Sequence, residues 1–347
     1  MQFYTHQHKH YCGIDLHASS MYLCILDSEG NVLLHKKVNT TPEAFLHAIA
    51  PYRDDLVVGV ECVFMWYWIS DLCVENDIAF VLGHALYMKA ISGGKAKNDR
   101  IDSKKLAAML RGGMFPLAYT YPRDMRSTRD LLRRRNYFMR HRAELLGHIQ
   151  NTNTQYNQTP ILKKVAYKAN RPGVAEKFSN PSVRKSIEAD LLMTDHYDAL
   201  ITDLELYITN NAKIHDAQAF HLLRSVPGIG KILALVILYE VHDINRFDRV
   251  QEFASYARLV KCQHSSAGKI HGSGGRKIGN AHLKWAFSEA AVLFLRRNPK
   301  AQKYKAQLEK KHGKGKALSI IAHRLGRCVY FILKRRKPFQ MAKFFNN

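Results

Sequence analysis

Residues 95–110 read Lys95-Ala-Lys-Asn-Asp-Arg-Ile-Asp-Ser-Lys-Lys-Leu-Ala-Ala-Met-Leu110. Asn98 or Asp99 can cap a helix here, because both side chains accept hydrogen bonds from the free N–H groups of a first turn. In such a helix Asp99 and Asp102 lie on one face, with Cβ atoms about 5–6 Å apart. Two carboxylates this close repel each other, and a divalent cation between them relieves the repulsion. The alternative is that the helix dipole alone favours two acids in the first turn.

The composition is that of a basic globular protein. The 347 residues include 53 Lys and Arg against 29 Asp and Glu, a formal net charge of +24, and 46% are hydrophobic. This length accommodates two or three domains, and so positive a charge favours a nucleic-acid partner. No apolar run reaches the roughly 18 residues of a membrane span, no secretory signal is found, and no C-x-x-C pair occurs. We therefore predict a cytoplasmic protein with reduced thiols and no membrane partner.

The chain before the acidic helix has the pattern of a mixed α/β domain. Three strands form a predicted meander, and a helix, a fourth strand, a second helix, a fifth strand and then the acidic helix follow. This order is expected of a ribonuclease H-like sheet. The predicted strands are 11–16, 21–26, 32–38, 56–60 and 78–82.

Four acidic residues from three separated segments are expected to meet at one edge of this sheet. Asp15 lies inside the first, central strand, and Glu61 ends a neighbouring parallel strand. Asp99 and Asp102 arrive on a helix packed across the same edge. Four carboxylates provide enough charge for two Mg²⁺ ions and leave positions open for a phosphate and a nucleophile. For Asp15, the alternative is a salt bridge or a loop-end position.

Three segments resemble the DEDD motif of a transposase family. They are Tyr11-Cys-Gly-Ile-Asp15-Leu-His, Gly59-Val-Glu61 and Lys97-Asn-Asp99-Arg-Ile-Asp102-Ser-Lys-Lys-Leu. The family comprises transposases of the insertion sequences that include the Piv-type DNA invertases, and the first part of its members resembles the Holliday-junction resolvase RuvC. The resemblance covers nearly the whole chain. It implies a RuvC-like catalytic domain over residues 1–123, in which the four acids are catalytic residues and Mg²⁺ ligands.

Residues 124–215 are predicted to form a helical, coiled-coil-like region. Two long helices carry regularly spaced apolar residues, and prolines between them indicate an irregular crossover. Arginines crowd the first helix, and the net charge of the chain favours phosphate contacts for them over a solvated basic helix without a ligand. The arginines predicted to bind nucleic acid are Arg126, Arg129, Arg133, Arg134 and Arg135.

Residues 216–347 are predicted to form a helical C-terminal domain that begins with a helix-hairpin-helix. The stretch Val226-Pro-Gly228-Ile-Gly230-Lys231 joins two apolar helices. Its glycines permit a tight turn whose N–H groups can hold a phosphate, so we predict that Gly228, Gly230 and Lys231 contact the nucleic-acid backbone. The alternative is a Gly-rich connection between two core helices.

Small and basic residues are concentrated between residues 262 and 284, a composition that suits close approach to a phosphate. Lys269, Arg276 and Lys277 are the predicted nucleic-acid contacts, although a mobile loop has the same composition. Helices are predicted over 283–295 and 316–333, and the intervening residues are assigned no element.

The resemblance adds a serine nucleophile to this basic segment. In the family, a serine lies upstream of a Lys-x-Gly-Asn motif, which Lys277-Ile-Gly-Asn280 matches. Ser266 best matches the family serine, but Ala267 separates it from the glycine that often follows directly. Ser265 and Ser273 therefore remain alternates. A serine hydroxyl is a poor nucleophile until a base or metal deprotonates it, and the sequence assigns no such base.

The resemblance implies a Mg²⁺-dependent DNA recombinase in which Ser266 forms a transient covalent link to a DNA phosphate. It also implies a site built from two domains of a homo-oligomer, a dimer or a tetramer, and targets chosen by a structured guide RNA through base pairing. Two alternatives stay open. One is a structure-selective junction endonuclease with water as nucleophile, and the other is a non-enzymatic nucleic-acid-binding protein.

Overall fold

A computed structural model describes residues 2–91, 98–212, 214–261, 264–266, 269–272 and 278–345. The chain forms two compact units, Met1–Asp124 and Met125–Asn347. The residues predicted as a middle region and as a C-terminal domain therefore fall within one unit. Among the described residues, no helix combines the length and the apolar character that crossing a membrane requires.

The first unit is a mixed α/β domain, as predicted. Its strands are β1 (Phe3–Tyr4), β2 (His10–Leu16), β3 (Ser20–Asp27), β4 (Val32–Asn39), β5 (Leu56–Glu61), β6 (Ala79–Gly83) and β7 (Phe115–Pro116). Its helices are α1 (Pro42–Ile49), α2 (Trp66–Glu75), α3 (Ala85–Ile91) and α4 (Asp99–Arg111).

Five of these strands form one sheet in the order β4-β3-β2-β5-β6, so β2 lies at its centre. β2 pairs antiparallel with β3 and parallel with β5, and β5 pairs parallel with β6. Ile14 and Val60 point into the core on one face of the sheet. Tyr11 and Val57 point to the opposite face, where they pack with Leu110 of α4. The predicted meander and the central position of the first predicted strand are confirmed.

The remainder of the chain is mostly helical. Its helices are α5 (Arg123–Gln155), α6 (Pro181–Asn211), α7 (Ala217–Arg224), α8 (Lys231–Val241), α9 (Val250–Tyr256), α10 (Ala281–Phe294), α11 (Pro299–His312), α12 (Lys314–Arg335) and α13 (Met341–Phe345). Two short strands, β8 (His264–Ser266) and β9 (Lys269–Gly272), pair antiparallel between α9 and α10.

The long helices α5 and α6 lie against each other in opposite directions. Near one end, Ile149 and Ile187 share a small apolar core. Further along, Nε of Arg142 donates to Oδ1 of Asp198 at 2.5 Å, and Arg135 pairs with Glu205. Polar and charged pairs therefore supply much of this contact, in place of the continuous apolar seam of a coiled coil.

The core of the second unit surrounds α8. Every residue of this helix from Leu233 to Val241 is buried. Six residues of α10 are also buried in this core: Leu283, Ala286, Phe287, Ala290, Ala291 and Phe294. α10 and α12 occupy the segments predicted to be helical, whereas α11 lies where no element was predicted.

Candidate functional site

The acidic helix α4 begins where its sequence indicates. The side chain of Asn98 accepts a hydrogen bond from the backbone N–H of Ile101 at 2.8 Å, so Asn98 is the N-cap. Asp99 and Asp102 therefore both lie in the first turn. Nε2 of His35, on β4, lies 2.9 Å from the carbonyl oxygen of Arg100 and helps to fix this end of the helix on the sheet.

A glycine allows α4 to approach the central strand closely. A Cβ atom on Gly13 would lie within 3.0 Å of the backbone of both Ser103 and Ala107. Since side chains alternate along a strand, Gly13 and Asp15 face the same side of β2. The absent side chain at Gly13 therefore brings the first turn of α4 beside Asp15.

Three side chains from two segments meet at this point. Nε2 of His17 lies 3.4 Å from Oδ2 of Asp15 and 3.6 Å from Oδ1 of Asp99. One ligand atom from each of the three residues fits within 4.8 Å of the other two. Two oxygens and one nitrogen at such separations can coordinate a single divalent cation.

The ionised form of Asp15 is disfavoured by its surroundings. Burial raises the pKa of the Asp15 carboxyl, the adjacent His17 lowers it in part, and the charges of Asp99 and Asp102 raise it again. An ionised Asp15 is thus under repulsion that a cation would remove. Asp102 is balanced by Lys105, whose Nζ lies 3.7 Å from Oδ1 of Asp102.

Glu61 is the last residue of β5, the parallel neighbour of β2. The register pairs Ile14 with Val60, so the next positions along the two strands are Asp15 and Glu61. Alternation places both residues on the face that α4 covers. The structure therefore brings the predicted acids to one edge of the sheet, with Asp15 and Asp99 in the tightest group.

His17 belongs to this group, although no role is predicted for it from the sequence. It follows β2 by one residue, and its backbone N–H donates to the carbonyl oxygen of Ser20 at 3.2 Å in the turn to β3. The spacing of two residues from Asp15 is the signal that could have identified it, because residues i and i+2 of an extended chain share a face.

Two of the predicted phosphate-binding arginines form a buried ion-pair network instead. Glu240 of α8 is 2% exposed. It accepts hydrogen bonds from Nε of Arg133 at 2.6 Å, from Nε of Arg129 at 3.1 Å and from Nδ2 of Asn280 at 2.7 Å. Burial by itself would raise the pKa of Glu240, but the two arginines and Asn280 lower this pKa to about 2.

The other predicted arginines divide between the interior and the surface. Arg126 and Arg135 are buried, and Arg135 pairs with Glu205 of α6. Arg134 is exposed, with its guanidinium 5.3 Å from the centre of the Tyr137 ring. Of these five arginines only Arg134 has an exposed side chain, so a phosphate contact is still expected for Arg134 alone.

The Pro-Gly-Ile-Gly turn joins α7 to α8, as the sequence indicates. Gly228 has a φ of +90°, and a Cβ atom there would lie within 3.0 Å of the backbone of Phe294 and Ala290 in α10. Gly228 therefore serves close packing inside the second unit. Gly230 and Lys231 are exposed at the start of α8, where a phosphate contact remains a prediction.

Ser266 ends strand β8 and pairs with Lys269, the first residue of β9. Ser265 is the preceding residue of the same strand, and the Lys269 side chain is exposed. Ser273, Arg276 and Lys277 lie outside the described residues.

The Gly-Asn pair that follows this segment has a clear structural role. Gly279 has a φ of +87°, and a Cβ atom there would lie within 3.0 Å of the carbonyl oxygen of Tyr256. Asn280 caps α10 by accepting from the backbone N–H groups of His282 and Leu283 at 2.9 and 3.0 Å. The same side chain donates to Glu240, so the segment that carries Ser266 is tied at its far end to the buried network.

Two sequence-family models match the chain. The model for the DEDD transposases of IS110 type matches residues 12–158, the part that contains the acidic cluster. The model of the transposase IS116/IS110/IS902 family matches residues 220–306, which include Ser266.

The chain is also similar to individual transposases and an invertase. It is 23% identical over 340 residues to the transposase for insertion sequence element IS1111A of Coxiella burnetii, covering 94% of this chain and 90% of that protein. It is 22% identical to the transposase for insertion sequence element IS1328 of Yersinia enterocolitica, covering 94% and 97%. The pilin gene-inverting protein of Moraxella bovis is 33% identical over 125 residues, 34% of this chain and 38% of that protein.

Proposed function

The chain belongs to the IS110-type transposase family, a family of enzymes that cleave and rejoin DNA, and from this premise we propose that it recombines the DNA of a mobile insertion sequence in a Mg²⁺-dependent reaction. The observation that carries the proposal is the close grouping of Asp15, His17 and Asp99, at the sheet edge where Glu61 also ends its strand. We assign the first unit to the RNase H-like class, whose strand order it shares.

The residues at this edge fit a divalent cation. Asp15, Glu61, Asp99 and Asp102 offer hard carboxylate oxygens, the ligands that Mg²⁺ prefers. Burial, and after it the charges of Asp99 and Asp102, raise the pKa of Asp15, so a bound cation would stabilise its ionised form. When bound, Mg²⁺ stabilises the charge that develops on a phosphoryl group during cleavage.

The proposed nucleophile is Ser266. Its Oγ would attack a DNA phosphorus and form a phosphoserine ester, while the displaced DNA oxygen leaves as a hydroxyl after protonation. A hydroxyl of the second DNA strand would then attack the ester, release Ser266 and rejoin the DNA. Lys269, Arg276 and Lys277 are proposed to hold phosphates near the serine, and Arg134, Gly230 and Lys231 to contact the backbone elsewhere.

A structured guide RNA is the proposed source of target choice, and a homo-oligomer is the proposed active form. In this division of labour base pairing selects the sequence, while the protein contacts mainly backbone and shape. The net charge of +24 is compatible with both nucleic acids.

A trapping experiment with element DNA tests the proposal. In the presence of Mg²⁺ the wild-type protein should form a covalent protein–DNA adduct, and Ser266→Ala should abolish both this adduct and strand exchange. Asp102→Ala should also abolish both, because it removes a metal ligand. Ser265→Ala is the matched control and should leave the adduct intact.

The same experiment separates the alternatives. A junction endonuclease would still cut DNA with Ser266→Ala, since water is its nucleophile. A pure binding protein would show no Mg²⁺-dependent cleavage at all. Loss of the adduct in Ser265→Ala with its retention in Ser266→Ala would reassign the nucleophile.

A further inference from the structure

The segment from Arg296 to Lys316 concentrates positive charge in the second unit. It contains nine Lys and Arg residues and one acid, Glu309. Nζ of Lys305 pairs with Oε1 of Glu309 at 2.8 Å, which neutralises this acid within the helix. The other cations of the segment have no carboxylate of the described residues within ion-pair distance, so their charge faces solvent.

One face of α11 holds the helix on the core of the second unit. Ala301 is buried, and Tyr304 packs against Phe344 and Phe345 with ring centres 6.4 and 5.7 Å apart. The hydroxyl of Tyr304 accepts a hydrogen bond from Arg324 of α12 at 2.7 Å. These contacts fix the rotation of α11 about its axis, and therefore fix which residues point outward.

The solvent-exposed face of α11 carries a row of lysine side chains. At 3.6 residues per turn, Lys300, Lys303, Lys310 and Lys311 fall within an arc of about 100° and along about 16 Å of the helix axis. All four side chains are exposed. We call these four residues the lysine stripe. Lys314 and Lys316, which are also exposed, extend the charge into the first turn of α12.

From this arrangement we propose that the lysine stripe is a contact surface for the phosphate backbone of duplex DNA. The proposal rests on the proposed function, since duplex DNA is the substrate of a transposase. No large hydrophobic side chain is exposed among the described residues from 293 onward, so the surface offers nothing to insert into a membrane or to form the core of a protein interface. It also presents no exposed aromatic ring on which unpaired bases would stack.

The stripe would bind DNA without regard to sequence. Lysine ammonium groups bind phosphates as point charges, and their binding releases condensed counterions. The slope of log K against log salt should therefore become shallower by about 0.9 for each phosphate that the protein no longer neutralises.

The test compares two triple variants of the full-length protein in binding to duplex DNA across a salt series, with EDTA present to prevent cleavage. The first is Lys300→Gln, Lys303→Gln, Lys310→Gln in the stripe. The matched control, Lys163→Gln, Lys164→Gln, Lys168→Gln, removes the same charge from exposed lysines between α5 and α6. The salt slope of the stripe variant should fall by about 2–3, and that of the control should fall by less than about 1.

Three outcomes would overturn the proposal. An equal fall in both variants would show that bulk charge alone matters, and an unchanged slope in the stripe variant would remove its phosphate role. An effect confined to binding of a structured RNA would assign the surface to RNA.

Thermal unfolding should be the same for the wild type and the two triple variants, because every substituted side chain is exposed. If no covalent adduct forms between Ser266 and DNA, the proposed reaction is refuted, but the salt dependence of DNA binding measured here is unaffected.

Discussion

Gly13 of the central strand and Ala107 of α4 lie too close together for any side chain to fit between them. A Cβ atom on Gly13 would come within 3.0 Å of the backbone nitrogen of Ala107. Backbone atoms of a packed helix cannot move aside as a flexible side chain can. The distance between this strand and this helix therefore sets the distance between Asp15 and the two acids of the first helical turn.

The first prediction concerns Gly13→Ala. The added methyl group should push α4 away from β2, lower the free energy of unfolding by about 1–3 kcal/mol and reduce DNA cleavage more than DNA binding. Urea unfolding and cleavage assays measure the two effects. Gly147→Ala is the control: Gly147 lies within α5 and a Cβ atom there would meet nothing within 4 Å. That variant should be stabilised by about 1 kcal/mol. Full cleavage activity in Gly13→Ala would contradict the positioning role of this contact.

The gathering of the acids could be predicted because it follows from local rules. Strand alternation and parallel pairing place Asp15 beside Glu61, and capping chemistry places Asp99 at the start of α4. For His17 the sequence offers only the two-residue spacing from Asp15, which predicts a shared face but not a shared site. Its place in the cluster depends on the turn after β2, where its backbone bonds to Ser20, and the sequence does not specify that turn geometry.

The second prediction concerns the charge at Asp15. In metal-free buffer Asp15→Asn should be at least as stable to heat as the wild type, because it removes a carboxylate that is disfavoured by burial and by neighbouring acids. Millimolar Mg²⁺ should raise the unfolding temperature of the wild type and have little effect on the variant. Glu43→Gln, an exposed acid in the first turn of α1, should respond to Mg²⁺ as the wild type does. A destabilised Asp15→Asn would indicate a structural role for the carboxylate.

The third prediction concerns His17. An imidazole nitrogen suits Mn²⁺ better than Mg²⁺, whereas carboxylates bind both ions. His17→Ala should therefore weaken Mn²⁺ binding more than Mg²⁺ binding, as measured by titration with each metal alone. Equal effects on the two ions would show that His17 acts through Asp15 and Asp99 and does not ligate the metal.

The arginines of α5 show what the sequence could not reveal. Their density along the helix is the same whether they face phosphates or internal acids. The acids that decide the outcome are Glu205 and Glu240, which lie far along the chain from Arg135 and Arg133. α11 was not predicted because its sequence carries too weak an apolar pattern. Its apolar face consists of little more than Ala301, Tyr304 and Leu308.

The fourth prediction concerns pH and Glu240. The pKa of Glu240 in the folded protein is about 2, below its ordinary value of 4.5. Its ionised form thus stabilises the folded state above pH 4.5, and this contribution, about 3 kcal/mol, is lost as the pH falls through that range towards 2. Glu240→Gln should be markedly less stable than the wild type at neutral pH. The difference should shrink between about pH 5 and pH 2 in urea unfolding experiments. A difference that does not change with pH would mean that hydrogen-bond geometry, and not charge, holds Arg129 and Arg133 here.

The fifth prediction concerns Arg171, which anchors the crossover between α5 and α6. Its side chain is buried, it donates to the carbonyl oxygen of Val165 at 3.1 Å, and it pairs with Asp195 and Asp198. Arg171→Met should lower the free energy of unfolding by about 3 kcal/mol, because it leaves the partly buried Asp195 without its cation and leaves Asp198 with Arg142 alone.

Lys185 provides the comparison for Arg171. Its Nζ lies 3.2 Å from Oε2 of Glu188, but the lysine side chain is 79% exposed. Lys185→Met should therefore change the free energy of unfolding by less than about 1 kcal/mol. Limited proteolysis adds a local measurement, since Arg171→Met should open the segment between α5 and α6 to cleavage before the rest of the second unit unfolds. Similar decreases in stability in the two variants would show that ion pairing at Arg171 contributes no more than a surface pair, and that the apolar core around Ile149 and Phe178 holds the crossover by itself.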